Sequence, residues 1–309
     1  MEPINHSNPR LRIKENIEFE LNNIGVSESL KIELVKEIPS RWEKLGDMIL
    51  LPESSFNSLN WQKIIINYSE KIWKIFCEEF KVAKIGRQRK IKTGPMRKSQ
   101  VELLYGTDGV VLHKENGILF EFDTTKVMFS SGNVSERIRV SKFDCSNEII
   151  LDLYAGIGYY TLPLLFHSNV KLLHACEINP DSFKELKKNL IHNKVSEKCI
   201  IHEGDNQLTV PKLDVFGKIN RVMLGLLPSS EMSWELAINS LDPKGGILHL
   251  HGNSTAKKER EWAEKVINKL ENISDTNNRD FKFELLHIEK VKSYAPKVNH
   301  VVLDIRVFK

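Results

Sequence analysis

From residue 148 onward, short apolar runs alternate with amphipathic stretches. EIILDLYAG, KLLHACE, CIIHEGD, KINRVMLGLLP and KGGILHLHG have the length and apolar density of strands. YYTLPLLFHS, NPDSFKELKKNLIHNKV, SSEMSWELAINSL and STAKKEREWAEKVINKLEN read as helices. Strands alternating with helices predict a parallel, doubly wound α/β sheet. FKFELLHIEKVKSYAP and NHVVLDIRVFK follow with no helix between them, which predicts an antiparallel edge.

Upstream the rhythm differs. Residues 1–38 are polar, with one amphipathic segment, SESLKIELVKEIP, that Ser27 or Ser29 can cap and Pro39 ends. A short apolar strand lies between Gly46-Asp47 and Pro52. In NWQKIIINYSEKIWKIFCEEF the apolar residues recur at helical spacing, with Asn60 as its expected cap. VELLYG, GVVLHKENGILFEFD (a hairpin turning near Glu115-Asn116-Gly117) and KVMFSSG read as strands. The expected organisation is an N-terminal segment over 1–38, a small α+β domain over 39–142 and a Rossmann-like domain over 143–309.

The chemistry sits where the first strand of the last domain turns into its first helix. Asp152-Leu-Tyr-Ala-Gly156-Ile-Gly158 puts an acid at the strand end and two glycines in the turn. Gly156 can take positive φ, and Gly158 can let a ligand approach the backbone. Glu177 ends the second strand, where a carboxylate can accept both hydroxyls of an adenosine ribose. Asp205 and Asn206 follow the third. A dinucleotide fingerprint would carry a third glycine where Thr161 stands, and no second mononucleotide half is visible. The pattern therefore fits S-adenosylmethionine better than NAD, on a class I S-adenosylmethionine-dependent methyltransferase-like sheet.

Composition narrows the setting. The 309 residues carry a net charge of only +4, with 41% hydrophobic residues and no apolar run of membrane-spanning length. The start of the chain has no apolar signal-peptide core. The four cysteines lack metal spacing and read as reduced thiols, so a cytoplasmic protein without a metal is expected. Charge is concentrated in KIGRQRKIKTGPMRK, residues 84–98, where seven of fifteen residues are basic and none is acidic. Such a stretch is either a solvated loop or a phosphate-binding surface. Beside an S-adenosylmethionine domain, Lys84, Arg87, Arg89, Lys90, Lys92, Arg97 and Lys98 point to tRNA. Tyr159 and Tyr160 either line the site or pack in the core. His174, His202, His249 and His251 read as hydrogen-bonded strand residues, and no general base stands out.

Taken together, DLYAGIGYYTLPLL, HACEINP, KNLIHN, IHEGDN, LGLLPSSEMSW and GGILHLHGN resemble the tRNA wybutosine-synthesizing aminocarboxypropyltransferases. These are relatives of the tRNA guanine-37 N1-methyltransferases. LLYGTDGVVLHKENGILFEFDTTKVMFSSGNVSERIRV and WEKLGDMILLPESSF extend the resemblance over roughly residues 40–255. It implies transfer of the 3-amino-3-carboxypropyl group of S-adenosylmethionine to the tricyclic 4-demethylwyosine base at position 37 of tRNA(Phe), with release of methylthioadenosine. It implies cofactor contacts at Ser130, Arg137, Glu177, Asp205 and Asn206, beside Asp152, Gly156 and Gly158 of the turn. The family often has lysine where Arg137 stands, and a guanidinium fork differs from an ammonium.

Any of three sulfonium carbons can be given away, so positioning decides the reaction. Arg137 is suited to the donor carboxylate. Pro228 and Ser229 follow the fourth strand, where base N-methyltransferases place an amide or acid before Pro-Pro to bond an acceptor nitrogen. A carbon acceptor needs no such group, although Ser229 or Ser230 can equally cap a helix. Arg137, Pro228 and Ser229 are the catalytic candidates, the anticodon loop of tRNA(Phe) is the expected partner, and a monomer the expected state. A tRNA guanine-37 N1-methyltransferase and a non-catalytic tRNA-binding protein are the alternatives.

Overall fold

A computed structural model describes residues 8–89 and 99–309, which divide into two compact units. The first holds the described residues up to Lys114 together with Phe120–Phe129. The second holds Glu115–Leu119 and Ser130–Lys309.

The first unit opens with a helix that the polar reading of residues 1–38 omitted, α1 (Pro9–Asn23). Asn8 caps it, accepting the Arg10 N–H at 3.0 Å, and Pro9 supplies the favoured first residue. Its buried stripe, Ile13, Ile17 and Leu21, is one apolar residue per turn, too thin to stand out among charges. Next come α2 (Glu28–Val35), β1 (Glu43–Leu45), β2 (Met48–Leu51), α3 (Leu59–Phe80), β3 (Lys84–Arg87) and β4 (Glu102–Tyr105). Ser58, rather than Asn60, caps α3 by accepting the Trp61 N–H at 3.3 Å. The sheet order is β1-β2-β3-β4, with β2 and β3 parallel across α3. Phe56 centres the core and meets Trp61, Trp73 and Phe76 edge-on, the arrangement aromatic quadrupoles favour.

β5 (Val110–Glu115) and β6 (Ile118–Asp123) form the expected hairpin, with Asn116 and Gly117 both at positive φ in its turn. The strand expected over 126–132 is not one. Phe129 stacks on Phe122 at 5.1 Å instead of entering a ladder, and Ser131–Asn133 form a 3-10 turn.

The second unit continues with α4 (Val134–Val140), β7 (Ile149–Asp152), α5 (Thr161–His167), β8 (Leu172–Glu177) and α6 (Pro180–His192). After these come β9 (Cys199–Glu203), α7 (Asn206–Thr209), β10 (Arg221–Leu224), α8 (Trp234–Ser240) and β11 (Gly245–Thr255). The unit closes with α9 (Glu259–Thr276), β12 (Lys282–Ala295) and β13 (Val298–Phe308). The sheet order is β12-β13-β11-β10-β7-β8-β9. β9, β8, β7, β10 and β11 are mutually parallel, while β13 enters antiparallel between β11 and β12, as the helix-free end of the sequence predicted. Leu151, Val222, Leu248 and Leu303 bury one sheet face with Trp234 of α8 and Val266 and Leu270 of α9. Chain order reverses beside β7, so the carboxyl ends of β7, β8 and β10 surround a topological switch point, the usual ligand position in such sheets.

Among the described residues no helix is long and apolar enough to cross a membrane, and no cluster of acidic, His and Cys side chains could hold a metal ion. All four cysteines are free thiols.

Candidate cofactor site

Asp152 is fully buried at the end of β7. One carboxylate oxygen accepts the Tyr154 N–H at 3.2 Å, and the other accepts the Thr161 hydroxyl at 2.7 Å. Burial pushes its pKa up to about 6 against these bonds. Thr161 therefore has a task of its own, tying the start of α5 to the strand end, and glycine could not perform it.

Both turn glycines have positive φ, 58° at Gly156 and 102° at Gly158. They are needed for different reasons. A Cβ on Gly156 would collide with the Tyr159 ring, which lies over it. One on Gly158 would come within 2.7 Å of Leu162 and 3.2 Å of Leu186, so Gly158 lets α5 and α6 pack against the turn.

Glu177, half-buried at the end of β8, braces the same turn. One oxygen accepts the Gly156 N–H at 2.7 Å and the other the Asn179 N–H at 2.7 Å. Burial nonetheless holds its pKa above the ordinary range. A carboxylate has about four acceptor positions, so these two bonds leave it able to accept ribose hydroxyls. Asp205 caps α7 through the Gln207 N–H at 2.9 Å. The buried Asn206 donates to the Leu153 carbonyl at 2.9 Å and accepts from the Ser233 hydroxyl at 3.3 Å. Ser233 in turn shares a 2.6 Å hydrogen bond with Tyr154. Asp152, Gly156, Gly158, Glu177, Asp205 and Asn206 thus come together at one carboxyl edge. Acids at successive strand ends around a glycine turn are a donor and acceptor set that fits an adenosyl group.

Ser130 and Arg137 belong to a second cluster. Arg137 lies on α4. It is only 2% exposed, and both Nε and Nη2 bond Glu115, at 2.6 and 2.7 Å. Its Nη1 donates to the Ser130 carbonyl at 3.0 Å. The residue expected to meet the donor carboxylate is thus half of a buried ion pair. The Ser130 hydroxyl accepts from the Lys292 ammonium at 2.7 Å. Lys292 and Glu115 could not be found from the sequence alone. A lysine on a polar strand and a glutamate beside a hairpin turn carry no local signal.

Pro228 and Ser229 lie beyond β10. The Pro228 carbonyl accepts the Asn253 N–H at 3.0 Å, and Ser229 bridges to Gly252 of β11. The Ser229 hydroxyl accepts the Glu231 N–H at 3.1 Å, and the buried Ser230 hydroxyl accepts from the Trp234 indole at 3.2 Å. Both serines therefore anchor the entry to α8. Tyr160 is core, 4.8 Å from the His251 ring, whereas Tyr159 is half-buried over the turn. The four strand histidines are hydrogen-bonded. His174 meets His202 at 2.9 Å and His251 meets His300 at 3.0 Å, while His249 lies 2.6 Å from both Asp304 and Arg221.

In the first unit the basic stretch separates into parts. Arg87 is buried, bonds Glu102 through Nε and Nη2, and donates to the carbonyls of Ser55 and Phe56 at 2.9 Å. Lys84 pairs with Asp47 and Asp108. Arg89 is partly exposed and also reaches Glu102. Lys90, Lys92, Arg97 and Lys98 lie outside the described residues.

The parallel sheet with its inserted antiparallel strand, and the acids around its glycine turn, define a class I S-adenosylmethionine-dependent methyltransferase-like transferase fold. The TRM5/TYW2 methyltransferase domain model matches residues 111–282, and the TYW2 N-terminal domain model matches 25–109. The chain belongs to the TRM5/TYW2 family. It is 43% identical over 298 residues to the tRNA wybutosine-synthesizing protein 2/3/4 of Arabidopsis thaliana, covering 96% of this chain but 29% of that one. It is 37% identical to the tRNA wybutosine-synthesizing protein 2 homolog of Danio rerio, covering 88% of this chain and 72% of the relative. The crystal structure of Pyrococcus horikoshii TYW2 in complex with MeSAdo superposes with a TM-score of 0.75 at 31% identity, covering 97% of this chain and 99% of that one. The chain thus spans less than a third of the plant relative it matches.

Proposed function

We propose that this protein transfers the 3-amino-3-carboxypropyl group of S-adenosylmethionine to the tricyclic 4-demethylwyosine base at position 37 of tRNA(Phe), releasing methylthioadenosine, in the cytoplasm. The sulfonium supplies an activated carbon next to a good leaving group. The chain's residues do the rest by placement. Glu177 holds the turn and accepts the ribose hydroxyls, Asp205 lies where an adenine amine would reach, and Ser130 belongs to the cluster that meets the amino-acid end.

The segment after β10 carries this reading. There Leu227-Pro228-Ser229 stands in place of an amide or acid, and the Ser229 hydroxyl accepts the Glu231 N–H at the entry to α8. A ring nitrogen would need an acceptor or donor at that point, and a ring carbon would not. The names of the relatives and the TYW2 N-terminal match agree with it. For tRNA, Arg89 and the basic residues Lys90, Lys92, Arg97 and Lys98 are the proposed phosphate contacts. Arg87 drops out of that set because Glu102 and two carbonyls hold it.

The test incubates the protein with S-adenosylmethionine and tRNA(Phe) carrying the tricyclic precursor, and then weighs the modified nucleoside. A mass gain of one aminocarboxypropyl group supports the proposal. Gain of a methyl group, or methylation of unmodified guanosine-37, rejects it in favour of N1-methyl transfer.

A further inference from the structure

At the carboxyl edge of the second unit's sheet, a closed ring of hydrogen bonds joins three loops. Leu153 and Tyr154 follow β7, Asn206 and Gln207 begin α7 after β9, and Met232 and Ser233 follow β10. Ser233, fully buried, is the junction. Its hydroxyl proton goes to the Asn206 side-chain carbonyl at 3.3 Å, and the Asn206 amide donates to the Leu153 carbonyl at 2.9 Å. The Gln207 amide donates to the Ser233 oxygen at 2.9 Å and to the Met232 carbonyl at 3.1 Å. A hydroxyl has one proton and two lone pairs. With its proton given to Asn206, Ser233 accepts from Tyr154, so the 2.6 Å bond runs from the phenol to the serine. All three bonding positions of the Ser233 hydroxyl are then filled. Ser233 also stands at the N-cap of α8, where a serine usually bonds a free helix N–H, yet its side chain makes no cap bond. The hydroxyl serves the loops instead of the helix.

We infer that Ser233, with Tyr154, is a positioning residue for group transfer, holding the segment that meets the acceptor base in fixed relation to the turn that meets the donor. The inference rests on the functional reading above, in which the turn after β7 and the start of α7 face S-adenosylmethionine and the segment after β10 faces the base. Neither side chain has to touch a substrate. Transfer needs the attacking and reacting carbons aligned, and a misplacement of about 1 Å can cost on the order of 100-fold in rate. The turn itself is braced separately, through Asp152 to Thr161 and Glu177 to Gly156. Opening the ring at Ser233 therefore frees the segment after β10 while the donor turn keeps its shape, so transfer and donor binding should separate.

The experiment uses Tyr154→Phe, Ser233→Ala and the double variant. Tyr154→Phe removes only the phenol hydroxyl. It keeps the ring that packs on the core and the backbone bond to Asp152. Calorimetry gives the affinity for S-adenosylmethionine. Single-turnover assays at saturating S-adenosylmethionine, with tRNA(Phe) carrying the tricyclic precursor, give the rate of aminocarboxypropyl transfer. Each single variant should transfer about 10–100-fold more slowly. Donor affinity should change by less than about threefold, smaller than the typical loss of one contacting hydrogen bond. The double variant should be no slower than Ser233→Ala alone, because Tyr154 acts through Ser233. Should Ser233→Ala fail to fold, Tyr154→Phe decides alone. An unchanged rate in folded Tyr154→Phe, or a loss of donor affinity as large as the loss of rate, overturns the inference and leaves the functional reading in place. A wild type that forms no aminocarboxypropyl product overturns both.

Discussion

Glu177 and Gly156, 21 positions apart, are joined by a 2.7 Å hydrogen bond from the glycine N–H to the carboxylate. The acid that would meet the ribose is therefore the acid that shapes the turn beneath it. Glu177→Ala should weaken S-adenosylmethionine binding by about 1–3 kcal/mol and also lower thermal stability, since it orphans two N–H groups. Calorimetry and a melting curve on the same sample check both. Unchanged affinity in a folded variant would mean the ribose site lies elsewhere.

Asp152 makes stability depend on pH in a sense opposite to most carboxylates. Its pKa rises from 3.8 to about 6 in the folded state. Between these values the folded protein holds a proton that the unfolded chain has released, so stability falls as pH rises through that window. Asp152→Asn, which keeps the shape without the charge, should gain on the wild type by up to about 3 kcal/mol at pH 8 and lose that advantage near pH 4. Urea unfolding at both pH values measures the difference. Taking it between variant and wild type cancels groups such as Asp304, whose pKa is held low and whose stabilisation is lost on acidification. A gain that does not change with pH would refute the assignment.

Glu115 and Arg137 should behave as a coupled pair. Removing one partner leaves a buried charge, so Glu115→Gln should destabilise by about 3 kcal/mol. The double variant Glu115→Gln/Arg137→Met should lose clearly less than the two single changes added together. Denaturant unfolding of the four proteins gives the coupling, and simple additivity would show that the pair is not a unit.

The sheet was legible because the parallel strands of the second unit are short, mainly apolar runs bounded by turns, and because Gly156, Glu177 and Asp205 fall at strand ends that periodicity alone locates. Features resting on pairings distant in sequence were not. Arg137 finds Glu115 across 22 residues and Arg87 finds Glu102 across 15, so each reads locally as an available cation. α1 hid behind one apolar residue per turn, and Phe129 mimicked a strand residue while stacking on Phe122. Thr161 was informative in two ways. Its presence spoke against a dinucleotide, and its bond to Asp152 shows what occupies that place instead.

The insertion of β13 between β11 and β12 has a consequence for the order of events during folding. Two residues separate β12 from β13, so these strands can pair as a local hairpin, but that hairpin joins the parallel strands only through β11. The β11–β13 pairing runs from Thr255 with Val298 to Gly245 with Phe308, and pairings of long sequence separation form late. The glycine turn belongs to β7, much earlier in the chain. The glycine turn and the acids around it can therefore take shape while the β12–β13 hairpin is still undocked. A folding chain would pass through a stage with its proposed nucleoside site formed before the sheet is complete.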